Sequence, residues 1–215
     1  MAGMTTKRIS FDGHIAGFGT AEGTRVVVGR WSASPLGAFV DVMVERADGT
    51  RLLLAPRDDV VDLVTSTYHF DALHVVPVLL RADEGRRRWS LRAGPLTADL
   101  RIGARTAVGR LLALVPHHAP SAPLVAAAID PVARVVLSGV RTRGTAGGGR
   151  REWYTAADQH TITAVRAVWG SSDLGGIAPV RPAVRFGFSS VPQTPSVTRL
   201  RTTIEMTAGP RPHGH

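Results

Sequence analysis

Asp48-Gly49 stands between two apolar runs, AFVDVMVE at Ala38–Glu45 and RLLLAP at Arg51–Pro56. An Asp-Gly pair in that position is the strongest short-range hairpin signal, because both turn positions tolerate positive φ. It commits the first half of the chain to antiparallel pairing. The surrounding sequence agrees. RVVVGRW at Arg25–Trp31 is apolar and β-branched, and such runs read as strands. Leu96, Ala98, Leu100 and Ile102 alternate with Thr97, Asp99 and Arg101, the pattern of a half-exposed strand. Segments 74–81 and 87–92 complete the set, with a hairpin loop at 83–87. Connections this short cannot make parallel crossovers, so segments 25–31, 38–45, 50–55, 74–81, 87–92 and 95–102 are expected in one predominantly antiparallel sheet. Pro77 inside the fourth segment predicts an edge or a bulge.

Helices enter at two places. Acids crowd the start of PRDDVVDLVTSTYHF, where they favour the helix dipole, and Val60, Val61, Val64 and Tyr68 form a helical stripe. A short helix is expected near 57–67. A helical insert is expected near 105–138: Val108, Leu111, Leu112 and Val115 share a face that Pro116 stops, Ser121 and Asp130-Pro131 offer two further starts, and Gly139 ends it. Strands then resume around 151–155, 161–169, 184–188 and 197–206. The fold class is therefore α+β, with a predominantly antiparallel sheet that is curled or barrel-like. One β-rich domain is expected over 1–207, with a disordered tail at 208–215.

Charge separates the two halves. Residues 1–100 hold twelve Lys+Arg and twelve Asp+Glu, whereas residues 101–215 hold fourteen arginines and five acids, which accounts for the net charge of +9. Such asymmetry points to an anionic partner. The 25 arginines to one lysine fit a GC-rich coding bias equally well. There is no cysteine, so disulfides, zinc thiolates and thiol nucleophiles are excluded. The first residues lack the apolar core of a signal peptide, and prolines with His117–His118 interrupt the apolar run Leu111–Ile129. No membrane span and a cytoplasmic location are the expectations; oligomeric state is left open.

The standard chemical motifs fail one by one. GFGTAEG at Gly17–Gly23 has the wrong spacing for a dinucleotide loop and precedes a strand, so no helix N-terminus is available for a pyrophosphate. There is no nucleophile elbow and no H-E-x-x-H. No metal and no cofactor are expected. Asp41 is the odd residue of the first half. Alternation puts Phe39, Asp41 and Met43 on one face and Val40, Val42 and Val44 on the other. With both faces covered it needs a partner; Arg30 is the candidate, and a structural salt bridge is preferred to catalysis.

The second half concentrates its polar chemistry in RTRGTAGGGRREWYTAADQH, residues 141–160. Arg143 and Arg150 flank GTAGGG, the raw material of an anion-binding nest, although a plain loop has the same composition. Glu152, Tyr154, Asp158 and His160 would converge if the chain folded back through a turn at 156–158. A carboxylate beside a histidine can set its tautomer for proton transfer. The leading expectation is a small-molecule-binding domain whose apolar pocket uses Arg143, Arg150, Arg151 and Tyr154 to favour an acidic ligand. The alternative is an enzyme using Glu152, Asp158 and His160 in acid–base chemistry. Nucleic-acid binding comes third, because no basic run interleaves with aromatic residues and no recognition motif is present.

Overall fold

The computed structural model describes residues 6–113, 143–146, 150–187 and 191–207, with side chains over 9–113, 156–187 and 191–203. The strands are β1 (Thr6–Thr20), β2 (Arg25–Ala33), β3 (Phe39–Glu45), β4 (Arg51–Ala55), β5 (Ala72–Val75), β6 (Val78–Asp83), β7 (Arg88–Ala93), β8 (Leu96–Arg105), β9 (Arg143–Ala146), β10 (Arg150–Trp169), β11 (Ser172–Asp173), β12 (Ile177–Ala178) and β13 (Ser196–Thr207). Helix α1 spans Asp58–Thr65 and α2 spans Ala107–Leu112.

The strands form one sheet in the order β5-β4-β3-β2-β1-β13-β10-β8-β7-β6. β3 and β4 pair antiparallel around the Asp48-Gly49 turn as expected. Of the two turn residues only Gly49 takes a positive φ, +90°. The Asp48 carboxylate instead accepts the Thr50 N–H at 2.8 Å, an Asx turn that needs no positive φ at Asp48.

One pair departs from the antiparallel expectation. β4 and β5 are parallel, and α1 supplies the crossover that a parallel pair requires. The segment read as one strand over 74–81 is split. Val76 donates its N–H to Ala55 O at 2.9 Å, Pro77 has no N–H to continue the ladder, and the chain leaves for β6 at the opposite edge of the sheet. Two residues bridge the edges, so the sheet must curl until they approach. Its inner face is filled from both ends of the strand order: Val26, Val28, Val42 and Leu54 pack in one cluster with Trp89, Leu91, Leu96 and Leu100.

β2, β3 and β4 are also covered on the outer face. There Val27, Met43 and Leu53 pack with Val60 and Val64 of α1 and with Val180, Val184 and Phe186. The segment expected as a strand at 184–188 is a strap across this face; only a single bridge, Tyr68 with Gly187, pairs it. Glu45, fully buried, anchors it. Its oxygens accept the Arg185 backbone N–H at 2.7 Å and Arg185 Nε at 2.9 Å, and Arg25 pairs with it at 3.0 Å. Gly17 and Gly19 admit the strap to β1, since a Cβ on Gly17 would meet the Val191 side chain at 2.7 Å.

The strands expected separately at 151–155 and 161–169 are one strand, β10. Ala156–Asp158 is a bulge opposite β13, not a turn, because β13 supplies ladder partners along its whole first half. Of the helical insert, α2 is described, with Thr106 capping Gly109 N at 2.9 Å. It buries Gly109, half-buries Val108 and Leu112 of the expected stripe and leaves Leu111 exposed. The rest of the insert and the tail lie outside the described residues. No helix among the described residues is long and apolar enough to cross a membrane.

Candidate functional site

The outer face of β1–β3 and the underside of α1 enclose a cavity of about 60 Å³. That is room for roughly four water-sized groups. Its floor is Phe11 and Ile15 of β1, Val27, Gly29 and Trp31 of β2, and Phe39, Asp41 and Met43 of β3; α1 and the residues after it contribute Leu63, Val64, Thr67 and Tyr68. The floor follows from strand alternation, since residues two apart share a face. Trp31 stands between two phenylalanines, edge-on to Phe11 at 5.8 Å and tilted against Phe39 at 6.4 Å.

Among the described residues, Asp41 is the one carboxylate of this lining, and it is 4% exposed. Trp31 Nε1 donates to its Oδ1 at 2.9 Å. Burial pushes the Asp41 carboxyl up to about 6, against the opposing effect of the Trp31 hydrogen bond. The expected Arg30–Asp41 salt bridge does not form. Register pairs Asp41 with Gly29, which leaves Arg30 on the opposite face, its guanidinium 5.9 Å from the Trp89 ring centroid. Gly29 is what makes the Asp41–Trp31 bond fit: a Cβ there would collide with Asp41 Oδ1 and lie 2.7 Å from Trp31 Nε1. A second polar atom in the lining, Thr202 Oγ1, is buried and without a hydrogen-bond partner.

A second polar cluster lies at the open end of the inner face. Register aligns Arg30, His14, Arg199 and Asp158 across β2, β1, β13 and β10. His14 packs edge-on to Trp89 at 6.1 Å, and burial, Arg30 and Arg199 together hold its pKa below the ordinary value. Asp158 Oδ2 accepts Arg105 at 2.9 Å and lies 3.4 Å from His160 Nε2. Burial pushes the Asp158 carboxyl up, but the Arg105 and Gln159 hydrogen bonds outweigh it and the net shift is downward. His160 Nδ1 faces Gly103 O at 3.2 Å. Both ring nitrogens therefore face protein oxygens.

Asp158 and His160, two apart on one strand, are thus brought together. Glu152 is not brought to them by a turn: it sits eight residues before His160 on continuous β10, roughly 26 Å away at strand rise. Arg143 pairs with Trp153, Arg150 with Ala146, Arg151 with Thr145, and Tyr154 with Thr202 of β13. The side chains of Glu152 and of these four residues are outside the described ones. The nest loop is shorter than GTAGGG, since Gly144–Ala146 belong to β9. Among the described residues, no arginine lines the cavity and no group of three metal-ligating side chains occurs. The residues that sequence reasoning missed are Trp31, Gly29 and Thr202; the signal available was that 27, 29 and 31 alternate onto one face.

The fold and cavity define a curled, mainly antiparallel sheet with a carboxyl-bearing apolar pocket on its outer face. No family model matches the chain, and no curated protein is similar to it. Among solved structures, a Nitrosomonas europaea protein provisionally named AttH is similar at 9% identity and a TM-score of 0.24, over 95% of this chain and 53% of that one. The chain spans about half the length of that neighbour, and a likeness this weak carries no argument about function.

Proposed function

We propose that the protein binds a small, mainly apolar molecule in the pocket between β1–β3 and α1, with Asp41 as the polar anchor. The observation that carries this reading is a buried carboxyl group facing a cavity with no cation beside it among the described residues. Pockets of this kind, apolar walls with a few placed polar groups, are the usual form of small-molecule sites. Leaving an uncompensated carboxyl in an apolar wall is costly for a fold alone. Leu63→Trp fills the pocket from the partly exposed side of α1. Fragment screening by NMR should find ligands that shift the Trp31 indole N–H in the wild type and not in Leu63→Trp. Ligands that bind both equally, or none that shift Trp31, would remove the reading.

A second reading keeps the acidic ligand and moves it to the inner face. Arg30 and Arg199 flank His14 in register, and neither has an ion-pair partner among the described residues. Arg143, Arg150 and Arg151 would extend that preference. Acid–base chemistry by Asp158 and His160 draws support from their 3.4 Å approach, while Glu152 lies too far back along β10 to join them. It is ranked lower because Arg105 and Gly103 already engage the pair. Titration of the Arg30→Ala and wild-type proteins with phosphate, read at His14, tests the second reading.

A further inference from the structure

We propose that the ligand of the Asp41 pocket is a protonated amine with an apolar body, its ammonium group seated against the Asp41 carboxylate among Trp31, Phe39 and Phe11. This rests on the small-molecule reading above and names its ligand class.

Two carboxylates of the same strand are treated differently by the fold. Glu45 and Asp41 both lie on β3 and both are buried, at 0% and 4% exposure. Glu45 faces two arginines, Arg25 at 3.0 Å and Arg185 at 2.9 Å. Asp41 faces none among the described residues, in a chain of 25 arginines. Its side-chain partner is the neutral indole N–H of Trp31. Glu45 is given two cations by the chain; Asp41 has none among the described residues, and it lines the cavity.

The walls suit the same guest. Trp31, Phe39 and Phe11 gather at the Asp41 end of the pocket, and aromatic faces attract cations, most strongly where water is excluded. A charge-assisted N–H···carboxylate bond is about twice as strong as a neutral one, so an amine outcompetes an alcohol of equal shape. An acid is repelled by Asp41. A cavity of about 60 Å³ takes an ammonium head and a few carbons, with any longer body leaving by the open side. Thr202 lies on β13, three strands from β3, and pairs in register with Phe11. Its buried hydroxyl has no hydrogen-bond partner among the described residues and offers a longer amine a second hydrogen bond. Metal ions are a poorer fit, since the lining offers a single carboxylate.

The test uses the full chain at pH 7.5 and three probes of one shape: benzylamine, benzyl alcohol and benzoate. Affinities are measured by calorimetry, with the Trp31 indole N–H resonance reporting the site. Benzylamine should bind at least tenfold tighter than benzyl alcohol, and benzoate should not bind. Asp41→Asn, which keeps the acceptor for Trp31, should reduce the amine preference to less than twofold. Equal binding of amine and alcohol, or benzoate binding best, overturns the amine assignment while leaving a small-molecule pocket. An amine preference that survives Asp41→Asn overturns it as well. Absence of any Trp31 shift with all three probes and with the fragment library overturns both readings.

Discussion

Asp41 accepts the Trp31 indole N–H at 2.9 Å across the β2–β3 ladder, over a glycine that occupies the paired position between them. The Asp41 backbone N–H also helps to hold the carboxyl. The carboxyl stands in an apolar wall with no opposing charge among the described residues, and the first two outcomes below depend on that arrangement.

The first concerns stability against pH. The folded-state pKa of Asp41, about 6, lies above its ordinary 3.8, so folding favours the protonated acid. Its stabilising contribution is complete below pH 3.8 and is lost as pH rises through about 6. The loss is on the order of 3 kcal/mol. Asp41→Asn keeps an acceptor for Trp31 and carries no charge. Urea unfolding should therefore show Asp41→Asn more stable than wild type by about that amount at pH 7.5, with the advantage shrinking toward pH 4. An unchanged or lower midpoint at pH 7.5 would mean the carboxylate is compensated.

Gly29→Ala should destabilise by roughly 1–3 kcal/mol, the usual cost of overpacking. The added Cβ meets Asp41 Oδ1 and lies 2.7 Å from Trp31 Nε1. The same substitution in an Asp41→Ala background should cost less, because the nearest obstacle is gone. A double-mutant cycle measures the difference; strict additivity would show that the collision is relieved elsewhere.

The two arginines on Glu45 should differ. Arg25 is 6% exposed and Arg185 is 66% exposed at the side chain. Arg25→Ala should cost about 3 kcal/mol, because it removes the buried partner of a buried carboxylate and leaves it only the exposed Arg185. Arg185→Ala should cost about 1 kcal/mol or less, since solvent screens that side chain and its backbone N–H still donates to Glu45. Chemical denaturation of both variants gives the comparison. Equal losses would place the strap, not the ion pair, as the main contribution.

At the inner face, the Asp158 carboxyl should titrate below the ordinary aspartate range in a carbon-detected NMR titration. Burial acts in the opposite direction, so the lowering depends on Arg105 and Gln159. Arg105→Ala should raise the Asp158 pKa, and the stability that this group contributes should then be lost at a higher pH on acidification. A titration curve that Arg105→Ala leaves in place would show that the 2.9 Å contact does not persist in solution.

Local pattern determined a good deal of this molecule. The alternation of Leu96–Ile102, the Asp48-Gly49 turn, the acid-led start of α1 and the break at Pro77 are each readable because they depend on neighbours within a few residues. Asp41 stood out for the same reason, as one acid in a strand apolar on both faces. What surrounds it was decided by register. Arg30 and Trp31 are adjacent in sequence and point to opposite faces, and only the pairing of Gly29 with Asp41 settles which of them reaches the carboxyl. A slip of one residue would have exchanged them. The same holds for β5 and β6, two residues apart in the chain and at opposite edges of the sheet, and for β10, whose apparent turn at 156–158 is extended because β13, some forty residues later, runs beside it. Cross-strand partners are chosen by the whole sheet's closure and burial, which no window of sequence contains.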